Sequence, residues 1–158
     1  MKTINLLIAI FLLGQAVEAQ IPDVDVQDID KNWISLSELK GEELTVVDFW
    51  ATWCKPCVTS IPKLNGLYEE FKNQGVEFIG VNVDAPRSIA KVKPFANSVN
   101  IQYPIVLDPD QDLVNQFNVT VFPTLIVYNK MGEEVFVHEG FNPGDEQLVK
   151  NKLSELLK

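Results

Sequence analysis

The sequence predicts an α/β fold in which helices flank a central mixed β-sheet, and three observations support this. An apolar run, Leu44–Trp50, is followed by a segment with helical spacing and then by a second apolar run, Val76–Val83. This strand–helix–strand order predicts two parallel strands joined by a crossover helix. Turn residues between two later apolar runs predict an antiparallel hairpin, so the sheet should be mixed.

The length and composition indicate one globular domain behind an N-terminal targeting segment. The chain has 158 residues and is 46% hydrophobic, which is enough for one good core but short for two domains. Lys2, the apolar run 6–13 and Val17-Glu18-Ala19 are typical of a secretory signal peptide that is cut after Ala19. A membrane anchor would need about 20 continuous apolar residues. We therefore predict a signal peptide at 1–19 and a domain at 20–158.

The predicted location and the charge limit the classes of partner. A cleaved signal peptide predicts a periplasmic or secreted protein with no stable membrane insertion after cleavage. The net charge of −9 at pH 7 argues against nucleic acid and anionic lipid partners. In an oxidising compartment, two neighbouring thiols can form a disulfide.

The N-terminal part of the domain predicts a β-hairpin. Acidic and apolar residues alternate between Ile21 and Asp30, which favours an exposed edge strand. Turn residues at 30–32 then precede a second strand that begins at Trp33, and we expect Trp33 to pack the hairpin onto the sheet. The segment 37–41 predicts a short capped helical turn that ends at a glycine.

The remaining elements follow from hydrophobic spacing. Leu44–Trp50 predicts a buried strand, and Pro56–Phe71 predicts a helix that ends at Gly75 and is bent by Pro62. The later segments predict a strand at 76–83, a helix at about 86–100, a short strand at 105–107, a short helix at 112–117, strands at 124–128 and 134–138, and a helix at 145–157.

The two cysteines of the chain, Cys54 and Cys57, lie at the junction between the buried strand and the helix after it. A structural zinc site needs four ligands, and the only histidine, His138, is distant in sequence and is interpreted as structural. A purely structural disulfide would close too short a loop to constrain the unfolded chain much. These arguments favour redox chemistry and no metal site.

The segment Phe49–Cys57, with Pro62 and Phe122-Pro123-Thr124, resembles the thioredoxin family. The hairpin, the strand Phe78–Asp84 and the inserted helix at about 86–100 resemble its extracytoplasmic TlpA/ResA-type branch. The resemblance covers nearly all of residues 22–158. It implies a thioredoxin-like fold and a thiol-disulfide oxidoreductase whose only redox group is the Cys54–Cys57 disulfide, with no other cofactor.

The resemblance and the helix position together assign roles to the cysteine motif. Cys54 is expected at the helix N-terminus, where free amides and the macrodipole stabilise a thiolate, so Cys54 is the predicted nucleophile. Cys57 should then resolve the mixed disulfide. Lys55 is expected to favour the thiolate, and Pro56 to restrict the loop and border the substrate.

Asp48 is the predicted proton acceptor for Cys57. A carboxyl within an apolar strand should have a raised pKa, and Asp48 lies six residues before Cys54, where thioredoxins carry a buried acid. The TlpA/ResA branch often places its acid in the helix instead, but the corresponding position here is Ser60. The alternative is that strand alternation turns Asp48 outward to solvent.

Four residues are predicted to bind substrate: Pro56 in the cysteine motif, and Trp53, Phe122 and Pro123. Pro123 matches the cis-proline that the family places opposite the cysteines, where it would expose the backbone of Phe122 for pairing with a peptide. Phe122 and Trp53 should form an apolar lip around the cysteines.

The predicted function is reduction of disulfides in extracytoplasmic proteins, with an unidentified thiol as electron donor. The resemblance implies clients that include the cysteines of apocytochromes before haem attachment. Two alternatives remain: a disulfide-forming oxidase, and a thioredoxin-fold carrier of a soft ion such as Cu(I). A thiol peroxidase has less support, because nothing beyond Cys54 suggests a peroxide site.

Overall fold

Seven β-strands and four α-helices make up residues 20–158, the part of the chain that the computed structural model describes. The strands are β1 (Asp25–Asp28), β2 (Trp33–Ser35), β3 (Leu44–Trp50), β4 (Val76–Asn82), β5 (Ile105–Leu107), β6 (Thr124–Asn129) and β7 (Glu134–Glu139). The helices are α1 (Lys55–Phe71), α2 (Ile89–Ser98), α3 (Asp112–Gln116) and α4 (Asp145–Leu156). None of these helices is long and apolar enough to span a membrane. The signal peptide predicted at 1–19 lies outside the described residues.

All seven strands belong to one mixed sheet, with the order β2-β1-β5-β4-β3-β6-β7. The neighbours β3, β4 and β5 run parallel, as crossover helices require, and the other pairs are antiparallel. The predicted α/β class, the mixed sheet and the closing hairpin are therefore confirmed.

The central strand β3 is buried along its whole length because it has a strand on each side and helices over both faces. Val46 belongs to the same buried cluster as Leu64 of α1. On the opposite face, the ring of Phe49 lies 5.3 Å from that of Phe117, which follows α3. Since side chains alternate along a strand, Asp48 shares the α1 face with Val46.

Helix α1 begins at Lys55, after a short loop that follows the end of β3 at Trp50. Because β3 and β4 are parallel, α1 runs back along the sheet, and the end of β3 lies beneath its first turns. Cys54 is the N-cap residue, Pro56 lies in the first turn, and Pro62 lies inside the helix as predicted. The bend that we expect at Pro62 stays a prediction. A 3₁₀ turn, Lys72–Gln74, leads to Gly75, whose positive φ of 78° suits a residue without a side chain.

The N-terminal hairpin differs from the prediction in two respects. β1 is not an edge strand, because it pairs with β5 as well as with β2, and β2 is the edge. Trp33 does not pack the hairpin onto the sheet, since its side chain is 69% exposed. Ile34 packs against the core instead, and strand alternation turns its neighbour Trp33 to the other side.

The predicted helix at 86–100 is a 3₁₀ turn, Pro86–Ser88, followed by α2. The chain after α2 is fastened to α1 by Asn65. The side-chain amide of Asn65 donates to the carbonyl of Asn100 at 2.7 Å, and the backbone N–H of Gln102 donates to the Asn65 side-chain oxygen at 3.1 Å. These two hydrogen bonds fix the position of the next residue, Tyr103.

Candidate active site

Cys54 and Cys57 form a disulfide at the junction between β3 and α1, with their Cα atoms 5.3 Å apart. Cys54 is 6% exposed and Cys57 is fully buried. The backbone N–H of Cys57 donates to the Cys54 sulfur at 3.2 Å. No acidic residue lies in the first turn of α1. The N-terminal amides of α1 and the positive end of its dipole therefore favour negative charge on the Cys54 sulfur.

The loop before Cys54 is held by Asp84, a residue to which the sequence analysis assigns no role. The Asp84 carboxyl accepts hydrogen bonds from the Thr52 backbone N–H at 2.8 Å and from the Thr52 hydroxyl at 2.7 Å. It also accepts one from the Asn82 side-chain amide at 2.9 Å. Asp84 is buried and follows the end of β4, so it ties the cysteine loop to the neighbouring strand.

Asp48 is fully buried, so the alternative that it faces solvent is wrong. Helices cover both faces of the sheet, and alternation cannot bring a residue of β3 to the surface. The hydroxyl of Tyr103 donates to Oδ2 of Asp48 at 2.9 Å, while Oδ1 has no hydrogen-bond partner within residues 20–158. Burial raises the pKa of Asp48 to about 7, although the hydrogen bond from Tyr103 lowers it.

Tyr103 is the second residue at this site that the sequence does not indicate. It lies 55 residues from Asp48 in the chain and reaches it only because β5 and β3 flank the same strand. Burial, the largest cause, and the negative charge of Asp48 together raise the pKa of Tyr103 well above its ordinary value. The phenol therefore stays protonated and available as a donor.

Ser60 occupies the helix position where the TlpA/ResA branch often has an acid. It is buried, and its hydroxyl donates to the carbonyl of Cys57 at 2.8 Å. A serine hydroxyl that already donates in this way is a poor proton acceptor at neutral pH. Because position 60 carries no acid, the buried carboxyl on the α1 face of β3 is that of Asp48.

An apolar lip lies beside the disulfide, as predicted. Trp53 is 62% exposed, and its ring lies 6.0 Å from that of Phe122 with an edge-on interplanar angle of 83°. The Phe122–Pro123 peptide bond is cis, which confirms the prediction for Pro123. Lys55 and Pro56 are exposed at the start of α1. The structure therefore presents the exposed ring of Trp53 and the half-buried ring of Phe122 next to Cys54, while Pro123 is buried.

His138 lies away from this site, in agreement with its predicted structural role. Its Nε2 lies 3.0 Å from Oδ2 of Asp145 at the start of α4, and its ring stacks on that of Phe136. Within the described part of the chain, no group of three or more His, Cys, Asp or Glu side chains could hold a metal ion. A metal at the cysteine motif would rest on two thiols alone.

The chain is similar to known proteins in both sequence and structure. A family model described as the AhpC/TSA family matches residues 17–133. The thiol-disulfide oxidoreductase ResA of Geobacillus kaustophilus is 37% identical over 118 residues, which are 75% of this chain and 66% of that protein. The chain therefore spans about two thirds of the length of this relative.

Two solved structures share the fold. One is a crystal structure of a protein proposed to be the thiol:disulfide interchange protein DsbE of Chlorobium tepidum, with a TM-score of 0.80 and 26% identity over 89% of this chain and 97% of that one. The other is the solution structure of a thioredoxin-like protein from Porphyromonas gingivalis, with a TM-score of 0.74 and 28% identity over 89% and 93% of the two chains. These similarities confirm the predicted thioredoxin-like fold and the ResA-type resemblance.

Proposed function

The chain belongs to the AhpC/TSA family, in which its relatives include ResA thiol-disulfide oxidoreductases, and we propose that it reduces disulfides of extracytoplasmic proteins through Cys54 and Cys57. The observation that carries this proposal is the disulfide itself. It lies at the N-terminus of α1 beside an exposed apolar lip, with a buried carboxyl on the same face of the sheet.

The reaction begins with the reduced protein. The Cys54 thiolate attacks one sulfur of a substrate disulfide, so that the substrate S–S bond breaks and a mixed disulfide forms. Cys57 then loses its proton and attacks the Cys54 sulfur, which releases the substrate as a dithiol. Two electrons and two protons have then passed to the substrate, and Cys54–Cys57 is oxidised. A second thiol protein must supply two electrons to begin the next cycle.

Asp48 is the proposed acceptor of the Cys57 proton, directly or through a water molecule. A pKa of about 7 suits this role, because the carboxyl is substantially ionised at neutral pH and still basic enough to take a proton from a thiol. Burial is the cause of that basicity.

The residues around Cys54 have proposed roles in substrate binding and in tuning. Trp53, Phe122 and Pro123 would contact the substrate peptide, with Pro56 at the border of the same surface. Lys55 would favour the Cys54 thiolate by its positive charge. Trp53, Lys55 and Pro56 are exposed beside Cys54 and Phe122 is half-buried against Trp53, which supports their assignments. Pro123 is buried, and its assignment rests on its position next to Phe122.

Trapping of mixed disulfides tests the proposed activity. In Cys57→Ser the mixed disulfide cannot be resolved, so clients from an extracytoplasmic extract should stay attached to Cys54. Cys54→Ser, which keeps one thiol but lacks the nucleophile, is the matched control. Recovery of disulfide-bonded clients with Cys57→Ser and none with the control is the expected result, read by mass spectrometry. Equal recovery with both variants would overturn the proposal.

The direction of electron flow is tested by the reduction potential of the Cys54–Cys57 pair. A reductase should have a potential well below that of the oxidant DsbA, about −120 mV, and a value near that figure would favour the oxidase instead. Stoichiometric copper in the purified protein, with no insulin-reduction activity, would favour the Cu(I) carrier. The apocytochrome client is tested by the rate at which an oxidised Cys-x-x-Cys-His peptide is reduced, relative to insulin.

The proposed location in the periplasm or outside the cell depends on the predicted signal peptide. Expression in a bacterial host with fractionation should recover the protein outside the cytoplasm, with Gln20 as its first residue by N-terminal sequencing. A cytoplasmic protein that retains residues 1–19 would contradict this.

A further inference from the structure

The two oxygens of the Asp48 carboxyl differ in their hydrogen bonding. Oδ2 accepts the hydrogen bond from Tyr103, whereas Oδ1 is buried and has no partner within residues 20–158. Buried polar atoms are nearly always paired, so an unpaired one calls for an explanation. Each carboxylate oxygen has two lone pairs: at Oδ2 one of them accepts from Tyr103, whereas at Oδ1 neither has a partner within residues 20–158, so Oδ1 is the more open to a proton.

Tyr103 is held firmly in the orientation that makes this hydrogen bond. Its ring lies 6.0 Å from that of Tyr68 on α1 and 5.8 Å from that of Phe78 on β4. A Cβ atom at Gly80 would lie 3.1 Å from Cε2 of Tyr103, so the ring rests directly on the glycine. The hydrogen bonds of Asn65 fix the backbone just before it. The hydroxyl therefore has little freedom to leave Asp48.

We propose that Tyr103 is a positioning residue for Asp48: its hydroxyl stabilises the ionised carboxylate and occupies Oδ2, so that Oδ1 is the oxygen that takes the proton of Cys57. This inference rests on the proposed role of Asp48 in resolving the mixed disulfide. It assigns a functional role to the chain between α2 and β5, outside the cysteine motif.

Burial is the largest influence on the pKa of Asp48, and the hydrogen bond from Tyr103 is the main contribution from a neighbouring side chain. The residues opposite Asp48 on the neighbouring strands are Gly80 and Leu125, neither of which titrates. From α1, the titratable groups on this face are the thiol of Cys57 in the reduced protein and the half-buried Tyr68, whose pKa is raised by burial. Burial and the hydrogen bond from Tyr103 account for the pKa of Asp48.

The experiment compares Tyr103→Phe with Tyr128→Phe. Both variants lose one phenol hydroxyl from a buried tyrosine, but Tyr128 lies on the opposite face of the sheet, where its ring contacts Phe117. The pKa of Asp48 is measured by ¹³C NMR of labelled aspartate carboxyls, with Asp48→Asn used to identify the signal. The rate of mixed-disulfide resolution is followed over the same pH range.

Tyr103→Phe should raise the pKa of Asp48 by about one unit or more, because a hydrogen bond to a charged group is worth roughly that much. The pH at which resolution reaches half its maximal rate should rise with it, and Tyr128→Phe should change neither. An unchanged pKa of Asp48 in Tyr103→Phe would overturn the inference.

The inference and the proposed role of Asp48 fail in distinguishable ways. If the pKa rises but the rate profile stays in place, Tyr103 acts on Asp48 and Asp48 is not the proton acceptor. If Asp48→Asn alters the rate profile and Tyr103→Phe alters neither quantity, Asp48 acts without Tyr103. Should Tyr103→Phe fail to fold, 3-fluorotyrosine incorporated at position 103 keeps the ring and is a stronger donor. It should lower the pKa of Asp48, and an unchanged or higher value would count against the inference.

Discussion

Asp48 and Asp84 are both buried carboxyls near the ends of the adjacent parallel strands β3 and β4, but their oxygens are paired differently. Asp84 accepts three hydrogen bonds, two from Thr52 and one from Asn82, so both of its oxygens are used. Asp48 accepts one hydrogen bond, from Tyr103, and its Oδ1 has no partner within the described residues.

Burial and hydrogen bonding together explain how two buried acids on neighbouring strands can have different roles. Hydrogen bonds to the charged form stabilise a carboxylate, and burial without enough of them destabilises it. The donors around Asp84 let it fasten the loop that leads to Cys54. The scarcity of donors around Asp48 leaves a basic carboxyl, with a pKa of about 7.

Replacement of each acid by asparagine should change the free energy of unfolding more than any other change considered below. At pH 8 the free energy of unfolding should rise in Asp48→Asn and fall in Asp84→Asn. Between pH about 4 and about 7, folded Asp48 keeps a proton that the unfolded chain has lost, so the free energy of unfolding falls as pH rises. A difference of about three pKa units corresponds to roughly 4 kcal/mol at pH 8. Asp48→Asn should remove this loss, so the oxidised variant should exceed the wild type in stability at pH 8 by up to that amount.

Urea denaturation of the oxidised proteins at several pH values measures this effect. At pH 4, Asp48→Asn should lose its advantage, because the carboxyl is then neutral in the folded protein. Asp84→Asn is the matched control and should be less stable than the wild type, since an amide group would oppose the donors of Thr52. If the free energies of unfolding of Asp48→Asn and the wild type differed by the same amount at every pH, the raised pKa of Asp48 would be contradicted.

The next effect is on the rate of mixed-disulfide resolution. Asp48→Asn should slow this step by about 10²-fold near pH 7, because general-base catalysis typically contributes that much or more. It should also remove the rise in rate that accompanies ionisation of Asp48. Single-turnover kinetics with a preformed mixed disulfide on Cys54 provide the measurement.

The matched comparison for this rate is Asp84→Asn. It displaces the cysteine loop, so it should change the rate by a similar factor at every pH and keep the shape of the profile. If the pH–rate profiles of Asp48→Asn and Asp84→Asn had the same shape, the assignment of proton transfer to Asp48 and of loop anchoring to Asp84 would be wrong.

The smallest effect concerns a single hydrogen bond of the loop. Thr52→Val keeps the shape of the side chain but removes the hydroxyl that donates to Asp84 at 2.7 Å. The free energy of unfolding should fall by about 1–3 kcal/mol, because one buried acceptor position loses its donor. Thr59→Val, which removes an exposed hydroxyl from α1, should cost less. Equal losses in the two variants would show that Asp84 is not the anchor of the loop.

The parts of the site that the sequence predicts are those whose signals are local. Cys54 and Cys57 follow a buried strand within a short motif, and Pro123 precedes another strand directly. Tyr103 and Asp84 carry no such signal, because they lie 55 and 32 residues from the partners that they bind. The error at Trp33 has a similar origin, since its hydrophobicity does not reveal which face of the short strand β2 turns inward.

Three features could be predicted along the chain: the succession of strands and helices, the strand-to-helix junction that carries the two cysteines, and the presence of an acid within the central strand. Hydrophobic period, turn residues and helix caps act between residues close in the chain, so they can be read along it. The side chains that contact the Asp48 and Asp84 carboxyls could not be predicted in this way. That pairing depends on strand order and on loop packing, which bring distant segments together. The chemistry of both acids follows from their hydrogen-bond partners, and those partners exist only in the folded sheet.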